Sequence, residues 1–239
     1  MAHPGDKFPI VTERLNHWFG MGEARKQAIF DVSLEIDAGK LTILVGPSGS
    51  GKTTLLTLIG CLRDVQNGSA QLLGQELNNA SEAELTASRQ KLGFIFQAHN
   101  LHESLTALQN VRMGLEVHAR QSPSKKADTY NVAAAHLLNL VGLGDRQKYL
   151  PSNLSGGQKQ RVAVARALVG NPLVVFADEP TAALDKESGR NVVALLRRLG
   201  QERGTTTVMV THDNRILEMA DRIVTLEEGR IVDDKRFDT

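Results

Sequence analysis

Gly46-Pro47-Ser48-Gly49-Ser50-Gly51-Lys52-Thr53 fills every fixed position of the pattern G-x-x-x-x-G-K-[ST]. Before it, Leu41–Val45 is short, apolar and partly β-branched, as a buried strand is; after it, Thr53–Leu62 suits a helix. A strand, a glycine loop and a helix in that order aim backbone N–H groups and the positive end of a helix at one point, which attracts phosphate. Gly46, Gly49 and Gly51 let the backbone close where a Cβ would obstruct it, with Pro47, Ser48 and Ser50 completing the turn. Lys52 then brings a point charge to the β- and γ-phosphates, the Thr53 hydroxyl can ligate Mg²⁺, and Thr54 continues the same helix start. The pattern predicts an α/β fold with a P-loop NTPase core.

The remaining composition narrows the partners. The chain has 239 residues, 28 of them Lys or Arg and 27 Asp or Glu, for a net charge of +1. No polyanion is recognised by bulk electrostatics at such a balance, so no nucleic-acid partner is expected. Cys61 is the single cysteine and cannot form an internal disulfide; on the apolar helix after the phosphate loop it reads as a small core residue. The first residues carry no apolar signal region, and nowhere do some 18 uncharged apolar residues run together. The expectation is a chain that neither crosses a membrane nor is exported, with any membrane role reached through a partner.

Residues 8–20 alternate as an early strand and end in His17-Trp18-Phe19-Gly20. Either Trp18 or Phe19 can offer a face to a flat base. Ala28–Ile36 alternates again, so the opening reads as antiparallel β beside a parallel core. A hairpin-like Gly68–Gly74 and a polar helix at Ser81–Gln90 lead to a short strand, Leu92–Phe96, which stops at Gln97. A glutamine there can coordinate Mg²⁺ or hold the attacking water. Residues 98–170 change character, with helices expected at Asn110–His118, Ala127–Val141 and Gln158–Val169, separated by Ser122–Ser124 and Gly142–Pro151. They read as a helical lobe inserted into one α/β domain whose core is residues 1–97 and 171–239.

Leu154-Ser155-Gly156-Gly157-Gln158 opens the last of those helices. Ser155 and Gln158 have the spacing of a capping box, and the paired glycine clears the approach of a second anion to the helix end. Two phosphate-binding helix ends in one chain are explained by a head-to-tail homodimer, each nucleotide lying between the phosphate loop of one copy and Ser155, Gly157 and Gln158 of the other. Leu173–Ala177 is a continuous apolar strand ended by Asp178-Glu179. At the carboxyl edge of a parallel sheet Asp178 suits the Mg²⁺ shell, and Glu179 suits polarising the water that attacks the γ-phosphate. Asp185 ends the next loop as a candidate contact across the dimer. The helix Lys186–Gly204 and the strand Thr205–Val210 lead to His212, placed to arrange water and phosphate. A hairpin of Ile223–Leu226 and Gly229–Val232 is expected near the end of the sequence, and no regulatory domain is expected after it.

This ordered set resembles the ATP-binding subunits of ABC transporters: the phosphate loop, Gln97, Leu154–Gln158, Asp178-Glu179, Asp185 and His212 stand in that family's order. The resemblance implies an ATPase using ATP and Mg²⁺ and puts Phe19 where the family stacks an aromatic ring on adenine. Ala183 stands where the family often has Ser. Lys91–Arg112 resembles the branch serving lipoprotein-release and macrolide-efflux machines and, more narrowly, cyanobacterial heterocyst-glycolipid exporters. That branch implies a homodimer on the cytoplasmic face of the inner membrane. Its partner there is a permease with few spans, joined to a periplasmic adaptor and an outer-membrane channel. The same motifs would serve a cassette that signals through a membrane partner to cell-wall enzymes. A DNA- or ribosome-directed cassette would need a coiled-coil insert, a second cassette or basic stripes, none of which this sequence has.

Overall fold

The computed structural model describes residues 7–116 and 127–237. In chain order the strands are β1 (Ile10–Phe19), β2 (Lys26–Ile36), β3 (Leu41–Val45), β4 (Asn67–Leu72), β5 (Gln75–Glu76), β6 (Leu92–Ile95), β7 (Val174–Asp178), β8 (Thr206–Val210), β9 (Arg222–Glu227) and β10 (Arg230–Arg236). The helices are α1 (Lys52–Ile59), α2 (Glu82–Arg89), α3 (Ala107–Glu116), α4 (Ala127–Leu140), α5 (Gly156–Leu168) and α6 (Lys186–Arg203). Strands β2-β1-β4-β5 form an antiparallel sheet. The second sheet runs β10-β9-β3-β8-β7-β6, parallel throughout except where β10 pairs with β9.

Side-chain alternation in the central strands splits the apolar interior in two. Ile43, Val175, Ala177 and Met209 face a core shared with α3, α4, α5 and α6. Leu44, Val174, Phe176, Val208 and Val210 face the other, shared with α1 and the antiparallel sheet. Because the period of a strand is two, Asp178 continues the row of Val174 and Phe176 and emerges on the side of α1. The sheet thereby aims a carboxylate at the phosphate loop. The helices between β6 and β7 share their core with the sheet: Leu154, Val162 and Ala165 pack in the same cluster as Ile95 and Val175.

Several boundaries move, each for a local reason. α1 ends at Ile59, before the expected Leu62, because the chain turns at Gly60 and Cys61 takes a left-handed φ of 58°. Cys61 is buried as expected but lies beyond the helix, its thiol pushed up to about 11 by burial. α3 starts earlier than Asn110, since Thr106 and Gln109 exchange hydrogen bonds as a capping box. Its expected end at His118 and the separator Ser122–Ser124 lie outside the described residues. Leu173 is left out of β7 and is 43% exposed. Gly156 and Gly157 are the first residues of α5 rather than a spacer before it. Gly229 sits in the turn between β9 and β10, not in a strand.

Candidate functional site

A cleft of ≈ 1370 Å³ opens where the phosphate loop meets the carboxyl ends of β7 and β8. Ser48 through Thr54 line it, with Gln97, Asp178, Glu179 and His212. Glycine is required twice in the loop. A Cβ on Gly46 (φ 139°) would sit 1.9 Å from the Leu226 carbonyl, and one on Gly51 (φ 98°) 2.9 Å from that of Ala28. Gly51 is also the cap of α1 and offers no side-chain acceptor, so the first N–H groups of the helix keep their donors.

Lys52 is buried, its Nζ donating to the carbonyls of Gly46 and Pro47 at 2.8 Å each and to Ser50 Oγ at 3.3 Å. Burial lowers its pKa, against the opposing pull of Glu179 and Asp178. Thr53 Oγ1 donates to Asp178 Oδ1 at 3.2 Å. Burial raises the Asp178 pKa, while Thr53, Lys52 and His212 hold it down.

Glu179 follows with φ 50°, a conformation that non-glycine residues adopt only when their surroundings impose it. Its own N–H is fixed on the Val210 carbonyl at 2.9 Å. Oε2 accepts from Thr211 Oγ1 and from the His212 N–H, both at 3.3 Å. Oε1 is buried without a hydrogen bond, and His212 Nε2 lies 3.5 Å away. The carboxylate is hydrogen-bonded at one oxygen only, with the His212 imidazole beside the other.

Phe19 lines the cleft and Trp18 does not. The Phe19 ring meets His17 edge-on at 5.0 Å and carries the Arg63 guanidinium 4.7 Å from its centre, whereas Trp18 is covered by Arg25 at 4.6 Å. Gln97 is exposed two residues past β6. Arg166 of α5 donates to the carbonyls of His99 (2.9 Å) and Asn100 (2.5 Å), tying this turn to the helix that Ser155 begins.

Ser155, Gly157, Gln158 and Asp185 do not line this cleft. Ser155 and Gln158 form the expected capping box, and Asp185 caps α6 by accepting from the Ser188 N–H at 2.9 Å. A Cβ on Gly157 would meet the Ala183 carbonyl and Leu184 at 3.3 Å, so this turn packs on the loop leading to Asp185.

Sequence reasoning missed part of the cleft wall: Lys26, Phe30, Thr181, Asp213, Arg215 and Arg230. Phe30 and Arg230 belong to strands far apart in sequence and stack at 5.0 Å. The signal that could have found them is the Glu228-Gly229 turn, whose Gly229 N–H donates to the Ser50 carbonyl and whose carbonyl accepts from the Phe30 N–H.

A family model described as ABC transporter matches residues 29–182, more than half of the chain. The chain belongs to the ABC transporter family. It is 43% identical over 226 residues to a macrolide export ATP-binding/permease protein, MacB, of Aggregatibacter actinomycetemcomitans, covering 94% of this chain and 34% of that protein. It therefore spans about a third of the length of that relative. An uncharacterized ABC transporter ATP-binding protein of Methanocaldococcus jannaschii is 41% identical over 93% of this chain and 98% of its own. The solved dimeric, post-hydrolysis structure of the ATP-binding cassette MJ0796, bound to ADP and Pi, superposes with a TM-score of 0.90 at 37% identity. It covers 96% of this chain and 99% of that one. This ABC chain is thus an ATP-binding ATPase cassette with the α/β P-loop fold. Among the described residues no helix is long and apolar enough to cross a membrane.

Proposed function

We propose that this ABC cassette acts as a homodimer, that ATP closes it and hydrolysis reopens it, and that the cycle drives a membrane permease. The observation that carries the catalytic part is Glu179, fixed through Oε2 with Oε1 buried and without a hydrogen bond at the cleft. A water held by that oxygen attacks the γ-phosphorus, its proton passes to the carboxylate, and the bond to the bridging oxygen breaks to leave ADP. His212, 3.5 Å from the same oxygen, orients water and phosphate. Lys52 exchanges loop carbonyls for phosphate oxygens, and Phe19 stacks on adenine.

Mg²⁺ fits the residues present. Thr53 and Asp178 offer two hard oxygens 3.2 Å apart, with Gln97 on the same cleft. No group of three His, Cys, Asp or Glu among the described residues could hold a metal alone, so phosphate oxygens would complete the shell. When bound, the ion neutralises charge on the β- and γ-phosphates.

Ser155, Gly157, Gln158 and Asp185 are assigned to the partner's nucleotide, because they lie off their own chain's cleft; MJ0796 is itself a dimeric cassette. Residues 98–170 are assigned as the lobe that passes motion on, and Arg166 ties that lobe to the turn after Gln97. The likeness to MacB, a macrolide export ATP-binding/permease protein, supports an export machine; this cassette is assigned to the cytoplasmic face of the inner membrane, peripheral to its permease. Its cargo would be lipid, glycolipid, lipoprotein or drug-like, and an adaptor and outer-membrane channel would complete the path.

Glu179→Gln tests the assignment. ATP binding is expected to persist, with hydrolysis lowered by roughly 10²-fold or more, as for loss of a positioned base, and the dimer trapped closed. Turnover equal to that of the unaltered protein would remove Glu179 from this role.

A further inference from the structure

A second cavity, ≈ 430 Å³, lies between the carboxyl end of α4, the middle of α5 and α6, and shares no lining residue with the nucleotide cleft. That volume is within the range of small-molecule sites. Its wall divides by chemistry: Val141, Val192 and Leu195 are apolar, while Arg161, Arg198 and Ser188 bring donors.

Arg161 is the informative residue. Its Nη1 donates to Ser188 Oγ at 3.3 Å, its Nε is buried without a hydrogen bond, and among the described residues it has no ion pair. A guanidinium does not shed its proton, so a partly buried one without an acid keeps an uncompensated charge. Across the cavity, Arg198 has only a loose pair with Glu202, 3.8 Å apart and with both side chains more than half exposed. Two guanidinium groups beside an aliphatic wall match one ligand chemistry, an anion on a short hydrocarbon chain, since a carboxylate accepts from such forks in pairs.

We infer that this cavity binds a small amphipathic carboxylate, its head between Arg161 and Arg198 and its tail on Val141, Val192 and Leu195. The head would compete with Ser188 for Arg161, and that contact joins α5, begun by Ser155, to α6, begun by Asp185. Occupancy would therefore be felt at both helix starts.

Calorimetric titration of the full chain with octanoate, octanol and octylammonium tests this. Saturable binding of one octanoate per chain is expected, with octanol at least about tenfold weaker, the loss that follows from removing a charge-assisted hydrogen bond. Arg198→Gln removes part of the charge, and Ala194→Phe, at an exposed lining position, fills the space. Each should weaken octanoate by about tenfold or more, with circular dichroism and ATP binding unchanged. Equal affinity for octanol and octanoate, binding untouched by both substitutions, or no saturable binding of octanoate would each overturn the assignment.

Discussion

At the start of α1 the cap position is held by Gly51, with φ 98° and no side chain to accept a hydrogen bond. At the start of α5, Ser155 and Gln158 satisfy each other, Gln158 N–H to Ser155 Oγ at 3.3 Å and Ser155 N–H to Gln158 Oε1 at 2.9 Å. The first end lines the cleft of its own chain, and no side chain caps its donors, which suits the phosphate proposed for it. The second lies off that cleft, exposed, and must hold its shape by itself until something reaches it. A Cβ on Gly51 would strike backbone, whereas one on Gly156 meets nothing within 4 Å. The end that lines its own cleft is thus tight and uncapped, while the one that lies off it is capped and open in front, the contrast the proposed cis and trans roles require.

Substitutions at the two ends should therefore separate. The largest effect is expected from Ser155→Arg, which places bulk and charge on the open face. Steady-state hydrolysis should fall by roughly 10²-fold or more if that face completes the partner's site, while ATP binding by an isolated monomer stays unchanged. Weakened monomer binding would mean that both ends serve one cleft. Gly51→Ala should come next, destabilising by about 1–3 kcal/mol through its left-handed backbone and weakening nucleotide binding in the monomer. A denaturation midpoint and nucleotide affinity both equal to those of the unaltered chain would show the tight end to be more tolerant than its contacts imply. Ser155→Ala should be smallest, costing about 1 kcal/mol of stability as the cap is lost, again without effect on monomer ATP binding. No measurable loss of stability would show that the cap matters only in the assembled dimer.

How much of this was legible from sequence depends on whether the signal is local. The phosphate loop, the Asp178-Glu179 strand end and the Ser155 box each fit within a few consecutive residues, and each stands where its pattern put it. The antiparallel opening and the parallel core were readable too, because period-two alternation marks which strands have one wet face. Side-chain direction was half readable: Asp178 had to share the face of Phe176, but nothing in the sequence shows that Glu179 breaks the alternation with a left-handed φ. The choice between Trp18 and Phe19 was undecidable from pattern, since a slip of one residue exchanges the faces of a strand, and β1 carries register shifts between His17 and Trp18. Phe30 and Arg230 carry no pattern of their own that pairs them, because only the folded sheets bring them together.

The turn at Gly229 has a further consequence. It bonds to Ser50 on one side and Phe30 on the other, riveting the phosphate loop to the strand beside it. A ribosome must therefore extend the chain all the way from Ser50 to Gly229 before the loop it made early can be locked to that strand.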